Sequence, residues 1–425
     1  MRTALAPLAE RQFRRLFIGE LVSLVGSAAA PVALAFAVLD LTGSATDLGY
    51  VLAAGWAPQV LFILIGGVVG DRLPRQLVMV GANLLSGAAQ GAVALLLLTH
   101  LAAPWHLALL QAARGTAIAF FFPASQAVVP QLVERGAVQQ ANALLRLALN
   151  GSNVVGAAAG GVAVAAIGPG WAIAFDAATY FASGAILLRL HLRGTLERAQ
   201  STIIRDLVEG WHEFRSRTWL WAVVAGASVG NVLWTGAFNV LGPLVAKRDL
   251  GGAAPFGAIV ASQAAGLLLG GVVALRLRPA RPLLVGVAAL LPTALVLAAF
   301  AGFRVTAAIA ATAFFAGIGL ELFGVYWITA LHRHIPDRVL SRVNSYDALG
   351  SFVLIPLGLI AAGPVADAVG VTNALWGAAG LGVLTIVAVL ASRDVRELGA
   401  GDEAADVAAV RVHDEHARAA AEAPR

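Results

Sequence analysis

Runs of about 20 apolar residues recur along almost the whole chain, and each run, as a helix, is long enough to cross a bilayer. This repetition limits the fold more than any other feature. Only 12% of the 425 residues are charged, whereas soluble domains carry about 25% charged residues. A soluble fold would have to bury nearly every helix, which the surface-to-volume ratio of a chain of this size does not allow. The pattern therefore predicts a polytopic helical membrane protein.

The apolar runs predict twelve membrane-spanning helices. Their limits are 16–39, 48–69, 77–99, 105–128, 143–167, 171–190, 219–245, 255–275, 283–302, 305–330, 348–369 and 372–391. Proline and glycine occupy several of the turns between them, as at 168–170 and 279–282. The sequence thus predicts an all-α polytopic membrane protein.

The two halves of this set contain similar sequences. LIGGVVGDRL at 64–73 corresponds to LLGGVVALRL at 268–277. Two parallel repeats of six helices around a central cavity are a known transporter architecture. We therefore predict that two six-helix halves enclose a central cavity. The predicted divisions are an N-terminal half at 1–190, a cytoplasmic linker with an amphipathic helix at 191–218, a C-terminal half at 219–392 and a disordered cytoplasmic tail at 393–425.

The basic residues predict the orientation of the chain in the membrane. If both termini are cytoplasmic, the outer loops contain only Lys247, Arg248 and Arg304, and Arg114 lies within a span. The remaining 25 of the 29 basic residues then lie on the cytoplasmic side, as the positive-inside rule requires. Topology thus explains the net charge of +5 without a nucleic-acid partner. The predicted location is therefore a cell membrane.

The sequence contains no signature of catalysis. It has no cysteine, which excludes disulfides, thiolate metal sites and cysteine nucleophiles. It also has no H-E-x-x-H zinc motif and no convincing pairing of a nucleophile with a base. We therefore predict a protein that is not an enzyme and that holds no metal or other cofactor. A non-transporting membrane receptor remains a distant alternative.

Charged residues inside membrane spans are costly and usually functional. Arg114 and Glu321 lie near mid-depth of the fourth and tenth spans, at nearly equivalent positions of the two halves. We predict that they face each other across the cavity, where they pair or bind substrate between them; a purely structural pair is the alternative. Glu20, near the start of the first span, is either a proton-coupling carboxylate or a side chain that reaches the interface. We interpret Asp176, near the outer end of the sixth span, as a cap or a local hydrogen-bond partner.

Polar residues form stripes on two other predicted spans. Gln111 shares a face of the fourth span with Arg114, and Asn231, Thr235 and Asn239 share a face of the seventh. Such stripes join helices or line a water-accessible cavity. Because aromatic residues surround them, the predicted cavity suits an apolar or mixed organic solute better than a bare ion.

The segment GVVGDRLPR at 67–75 resembles the motif between the second and third helices of the major facilitator superfamily. In that superfamily the acid and the arginines hold the cytoplasmic side closed in the outward-open state. The resemblance therefore implies a gating role for residues at matching positions. These residues are Gly67, Gly70, Asp71, Arg72 and Arg75.

The fifth span carries closely spaced glycines, which let helices pack tightly and slide. They are Gly151, Gly156, Gly160 and Gly161. The surrounding sequence resembles the fifth-helix motif of drug:proton antiporters, although Ala157 stands where that motif has proline. LTGSATDLG at 41–49, PASQAVVPQLV at 123–133 and QQANALLR at 139–146 are similar to a bacterial exporter branch that includes enterobactin exporters and macrolide efflux proteins.

These resemblances imply a monomeric secondary transporter that exports drug-like or siderophore-like molecules by alternating access. Protons are the implied coupling ion, in antiport with the substrate. The implied location of the protein is the lipid bilayer of a bacterial cytoplasmic membrane. The residues leave open a second possibility within the same class, namely an importer or an uncoupled facilitator of a small metabolite.

Overall fold

The computed structural model describes residues 5–191 and 211–399, and within these ranges it describes only the backbone of residues 63–72, 135, 337, 338 and 341. Most of the predicted linker and the predicted tail beyond residue 399 lie outside the described residues. The start of that tail was predicted to be disordered, but Arg393–Glu397 is helical. Of the predicted linker helix, the described part at 211–216 is helical.

The first six long helices of the described chain form one bundle. They are α1 (Arg11–Thr42), α2 (Ala45–Arg72), α3 (Arg75–Leu98), α4 (Pro104–Leu132), α5 (Val138–Ile167) and α6 (Pro169–Leu187). Within this bundle α1 packs against α5 and α6, and α4 packs against α2 and α3. Glycine ends two of these helices, because Gly43 and Gly168 adopt positive φ angles of 68° and 83° that other residues avoid.

The remaining helices form a second bundle. They are α7 (Thr218–Gly236), a π-helical turn (Ala237–Leu241), α8 (Gly242–Asp249), α9 (Ala253–Arg276), α10 (Pro282–Ala288), α11 (Leu291–Gly302), α12 (Thr306–His334), α13 (Asp337–Phe352), α14 (Ile355–Val369), α15 (Val371–Ala391) and α16 (Arg393–Glu397). Here α9 packs against α12, and α11 packs against α15.

The twelve predicted spans are confirmed. Ten helical stretches of the described residues are long and apolar enough to cross a membrane, and α2 and α6 are the other two of the twelve. Three spans are interrupted rather than continuous. The π-helical turn interrupts the seventh span, and short breaks separate α10 from α11 and α13 from α14.

The two bundles meet mainly at one end of the helices. We call this end, which carries the turns at 43–44, 168, 250–252 and 370, the distal end, and the opposite end the terminal end. α5 packs against α9, and α2 packs against α14. At the distal end one apolar cluster includes residues of both bundles, such as Phe36 and Phe256. At the terminal end the buried apolar residues form separate clusters, one in the first bundle and two in the second.

Candidate substrate cavity and buried polar network

A cavity of about 420 Å³ lies between the two bundles, which we call the central cavity. Most of its wall is apolar. Its polar lining residues are Ser27, Gln59, Gln90, Gln111, Arg114, Asn153, Asn239 and Gln263. Its aromatic lining residues are Trp56, Trp234, Phe238 and Phe256. A mostly apolar wall with a few polar groups is typical of sites for small organic ligands.

Arg114 of α4 is the one charged residue among those that line the central cavity. Its Nη2 donates a hydrogen bond of 3.3 Å to the hydroxyl of Tyr180. The Nε atom is buried and has no hydrogen-bond partner among the described residues. Leaving such a donor unsatisfied is costly. Because Arg114 lines the central cavity, its guanidinium can donate to an acceptor group of a solute there.

Asp176 of α6 is completely buried beside this cavity. Its Oδ1 accepts a hydrogen bond of 3.0 Å from the hydroxyl of Ser27, and its Oδ2 accepts one of 2.6 Å from Nε2 of Gln90. A buried carboxylate needs such partners, and here the donors come from α1 and α3 of the same bundle.

The network continues from Asp176 to the cavity wall. Nε2 of Gln111 donates a hydrogen bond of 3.0 Å to Oε1 of Gln90. The hydroxyl oxygens of Ser27 and Tyr180 lie 2.9 Å apart. Four helices, α1, α3, α4 and α6, thus share one chain of hydrogen bonds that connects a buried acid to a basic residue in the cavity. We call these residues, Ser27, Gln90, Gln111, Arg114, Asp176 and Tyr180, the buried polar network.

The prediction that Asp176 caps a helix or bonds to a neighbour did not specify its partners. Asp176 bonds to residues 86 and 149 positions away in the sequence, so its role depends on helix packing that the sequence does not reveal. One signal was present, because Asp176 and Gln90 are both polar residues within apolar runs, and such residues usually find a partner inside the bundle.

The predicted pair of Arg114 and Glu321 is wrong in this structure. Glu321 does not line the central cavity. It lies on the side of α12 that packs against α9, where its side chain contacts Gly270 and Gly271. Arg114 instead bonds to Tyr180 of its own bundle. The two residues match in depth, but the rotation of α12 turns Glu321 away from the cavity.

Glu20 lies between α1 and α4, where its Oε1 accepts a hydrogen bond from the hydroxyl of Ser125. Among the described residues it has no basic partner within ion-pair distance. It does not line the central cavity, but its carboxylate is close to the helix that carries Arg114. Its role in proton coupling stays a prediction.

The three predicted polar residues of the seventh span separate into different surroundings. Asn239 lies in the π-helical turn and lines the central cavity. Asn231 donates a hydrogen bond of 3.0 Å to the carbonyl of Ser351 and lines another cavity, of about 300 Å³, within the second bundle, which we call the second chamber. The hydroxyl of Thr235 donates to the carbonyl of Asn231 in its own helix and lines neither cavity.

Only part of the predicted gating motif can be placed. Gly67, Gly70, Asp71 and Arg72 lie among the residues whose side chains are not described. Arg75 begins α3, and its Nη1 donates a hydrogen bond of 2.7 Å to the carbonyl of Ala127 in α4. Arg75 therefore connects two helices of the first bundle near the terminal end.

The predicted packing glycines differ in their surroundings. A Cβ at Gly156 or Gly160 would overlap Ala28 or Ala29 of α1. A Cβ at Gly161 would lie 2.7 Å from the carbonyl oxygen of Ala253 in α9, so this glycine permits close contact between the bundles. Gly151 takes no part, because a Cβ there would meet no heavy atom within 4 Å.

Polar contacts accompany the close packing of the distal end. Nζ of Lys247 lies 2.6 Å from Oδ1 of Asp40 and 2.6 Å from the carbonyl oxygen of Leu39. The hydroxyl of Thr46 donates a hydrogen bond of 3.0 Å to Asp367. Both contacts join the first bundle to the second, and they are partly exposed, so each contributes little energy alone. Together with the packing they close the distal end.

The model of one protein family, described as transmembrane secretion effector, matches residues 2–420. Macrolide efflux protein A of Streptococcus pyogenes is 25% identical over 378 residues, which are 85% of this chain and 91% of that protein. Multidrug efflux pump Tap of Mycolicibacterium fortuitum is 26% identical over 80% of this chain and 85% of its own length. Enterobactin exporter EntS of Shigella boydii is 25% identical over 91% of this chain and 93% of its own length.

Solved structures share the fold. The nucleoside transporter NupG superposes with a TM-score of 0.71 at 14% identity, over 90% of this chain and 98% of that one. A bacterial homolog of the human lysosomal transporter Spinster, in an inward-facing and unoccupied conformation, superposes with a TM-score of 0.62 at 14% identity. The match covers 93% of this chain and 97% of that one. These likenesses establish a transporter fold and do not extend to substrate.

Proposed function

Since the chain belongs to the transmembrane secretion effector family of the major facilitator superfamily, we propose that it exports small organic molecules across the bacterial cytoplasmic membrane in exchange for protons. It works by alternating access as a monomer, with both termini in the cytoplasm, and has no catalytic activity. The observation that carries this proposal is the central cavity, in which a buried acid, Asp176, is linked by hydrogen bonds to the wall that a solute would contact.

The relatives support export rather than import. Three relatives that match most of this chain are named for macrolide efflux, multidrug efflux and enterobactin export. Their identities of about 25% are too low to transfer a substrate. NupG is a nucleoside transporter, but that likeness concerns the fold alone.

The packing of the two bundles supports alternating access. The distal end is closed by the joint apolar cluster and by Lys247 with Asp40. The separate clusters at the terminal end leave the bundles free to move apart there. With the termini in the cytoplasm, this arrangement is the inward-facing state, in which an exporter accepts its solute.

We assign proton coupling to Asp176, with Glu20 as a second candidate. When Asp176 is charged, the buried polar network that it anchors holds Arg114 at the cavity wall, where Arg114 can bind an acceptor on the solute. When a proton neutralises Asp176, this hold on Arg114 is lost. Solute and proton would then compete through the same arginine, as exchange requires. Asp71, Arg72 and Arg75 would hold the cytoplasmic side closed in the opposite state, and the two bundles would be the moving units.

The proposal is tested by solute accumulation in bacterial cells that lack their own pumps. Cells that produce the protein should accumulate less of at least one solute from a panel of fluorescent dyes and antibiotics. A protonophore should abolish the difference. Arg114→Ala should raise accumulation to the level of cells without the protein, whereas Arg393→Ala, an exposed arginine near the C-terminal end of the described chain, should behave as wild type.

Each alternative has its own outcome in this assay. Higher accumulation in the producing cells would indicate an importer. Lower accumulation that survives the protonophore would indicate uncoupled transport or another driving ion. Binding of solutes to the purified protein without any change in accumulation would indicate a receptor.

A further inference from the structure

The second chamber differs from the central cavity in charge. Asp347 of α13 is the one charged residue among those that line the second chamber. Arg114 is the one charged residue among those that line the central cavity. The chamber lies between α7, α11, α12, α13 and α15, entirely within the second bundle. Its wall is mostly apolar, and it includes four aromatic side chains, Trp234, Phe323, Trp327 and Phe352.

Asp347 is held in place by neutral donors. Nε1 of Trp327 donates a hydrogen bond of 2.9 Å to its Oδ2, and the hydroxyl of Ser351 lies 3.3 Å from its Oδ1. No basic side chain of the described residues forms an ion pair with it. Two neutral donors satisfy only part of a carboxylate, which has about four acceptor sites. Asp347 therefore keeps acceptor capacity at the edge of an apolar chamber.

Two of the aromatic rings stack on each other, and one of them belongs to Trp327, which donates to Asp347. The rings of Phe323 and Trp327 are stacked, with an interplanar angle of 14° and centroids 6.2 Å apart. Aromatic faces attract cations, and the attraction strengthens where water is excluded. The chamber thus offers one carboxylate, several aromatic side chains and, among the described residues, no basic side chain paired with that carboxylate. This combination suits an organic cation with an apolar body.

We propose that the second chamber binds lipophilic organic monocations, with Asp347 as the counter-ion and Trp327 and Phe323 as the aromatic wall. Trp234 lines both this chamber and the central cavity, so the two adjoin at that side chain. As a transport substrate site the chamber rests on the proposed function, because a cation bound there would have to pass Trp234 to reach the central cavity. As a binding site it stands independently of transport.

Binding to the purified full-length protein in detergent tests the proposal. The probes are radiolabelled tetraphenylphosphonium and tetraphenylborate, which share a shape and carry opposite charges. We expect the cation to bind and the anion to bind at least about tenfold more weakly. Asp347→Asn should weaken cation binding by at least about tenfold. Asp347→Glu, which keeps the charge, and Asp394→Asn, which removes an exposed acid outside the chamber, should retain binding.

A second variant decides the question if Asp347→Asn does not fold. Gly230 lines the chamber, and a Cβ there would meet no heavy atom within 4 Å. Gly230→Phe should fill the chamber and abolish cation binding without disturbing the helix. Equal affinity for the two probes, no binding of the cation, or unchanged binding in Gly230→Phe would overturn the proposal.

Failure of this site and failure of the proposed function are distinguishable. Cation binding that Gly230→Phe abolishes, in a protein that exports nothing from cells, would contradict the function and retain the site. Export of other solutes by a protein that does not bind the cation would retain the function and contradict the site.

Discussion

Replacing Asp176 with asparagine is expected to abolish proton-driven export while sparing solute exchange. Asparagine has nearly the same shape and still accepts hydrogen bonds, but it cannot bind and release a proton. With the variant in liposomes, transport of an exported solute driven by a pH gradient should fall to background. Exchange of labelled for unlabelled solute without a gradient should stay within about threefold of wild type, because exchange does not require net proton movement.

The matched control is Asp394→Asn, which changes the same residue type at an exposed position of α16. It should leave both activities unchanged. Equal loss of gradient-driven transport and of exchange in Asp176→Asn would mean that Asp176 only holds α1, α3 and α6 together. Gradient-driven transport at the wild-type rate would remove Asp176 from coupling, and Glu20 would become the carboxylate to test.

Replacing Gly161 with leucine is expected to open the distal end and to reduce transport at least about tenfold. A Cβ at Gly161 would lie 2.7 Å from the carbonyl oxygen of Ala253 and 2.9 Å from Cα of Gly257. Backbone atoms cannot move aside as a flexible side chain can, so α5 and α9 must separate. Overpacking of this kind costs about 1–3 kcal/mol, and 1.4 kcal/mol changes an equilibrium about tenfold.

Disulfide cross-linking measures the opening directly, because the natural chain contains no cysteine. Thr46→Cys with Asp367→Cys places two thiols where a hydrogen bond now joins the bundles at the distal end. Gly161→Leu should slow cross-linking of this pair. Gly151→Leu is the matched control on the same helix, since it meets no neighbouring atom, and should change neither cross-linking nor transport. Equal effects of the two leucines would contradict the account.

The fold could be predicted because the bilayer constrains the sequence strongly. A span must be apolar over about 20 residues. The twelve apolar runs therefore give the number of spans and their positions in the sequence directly. The internal breaks were less visible. The π-helical turn at Ala237–Leu241 and the short break between α13 and α14 occur within apolar sequence, where hydropathy does not change.

The site could be predicted only in part because sequence gives depth along a helix but not rotation about its axis. Arg114 and Gln111, which share a polar stripe, both line the central cavity. Glu321 has equivalent depth but points toward α9. The role proposed for Asp176 depends on Ser27 and Gln90, which reach it only after α1, α3 and α6 have packed.

The most direct test of proton-coupled export measures proton movement in liposomes that contain the purified protein and a pH-sensitive dye. An outward gradient of an exported solute is imposed in the absence of any pH gradient. Solute that leaves through the protein should drive protons inward, and the dye should report acidification that Asp176→Asn abolishes. Solute efflux without any change in internal pH, or with protons leaving alongside the solute, would contradict proton antiport.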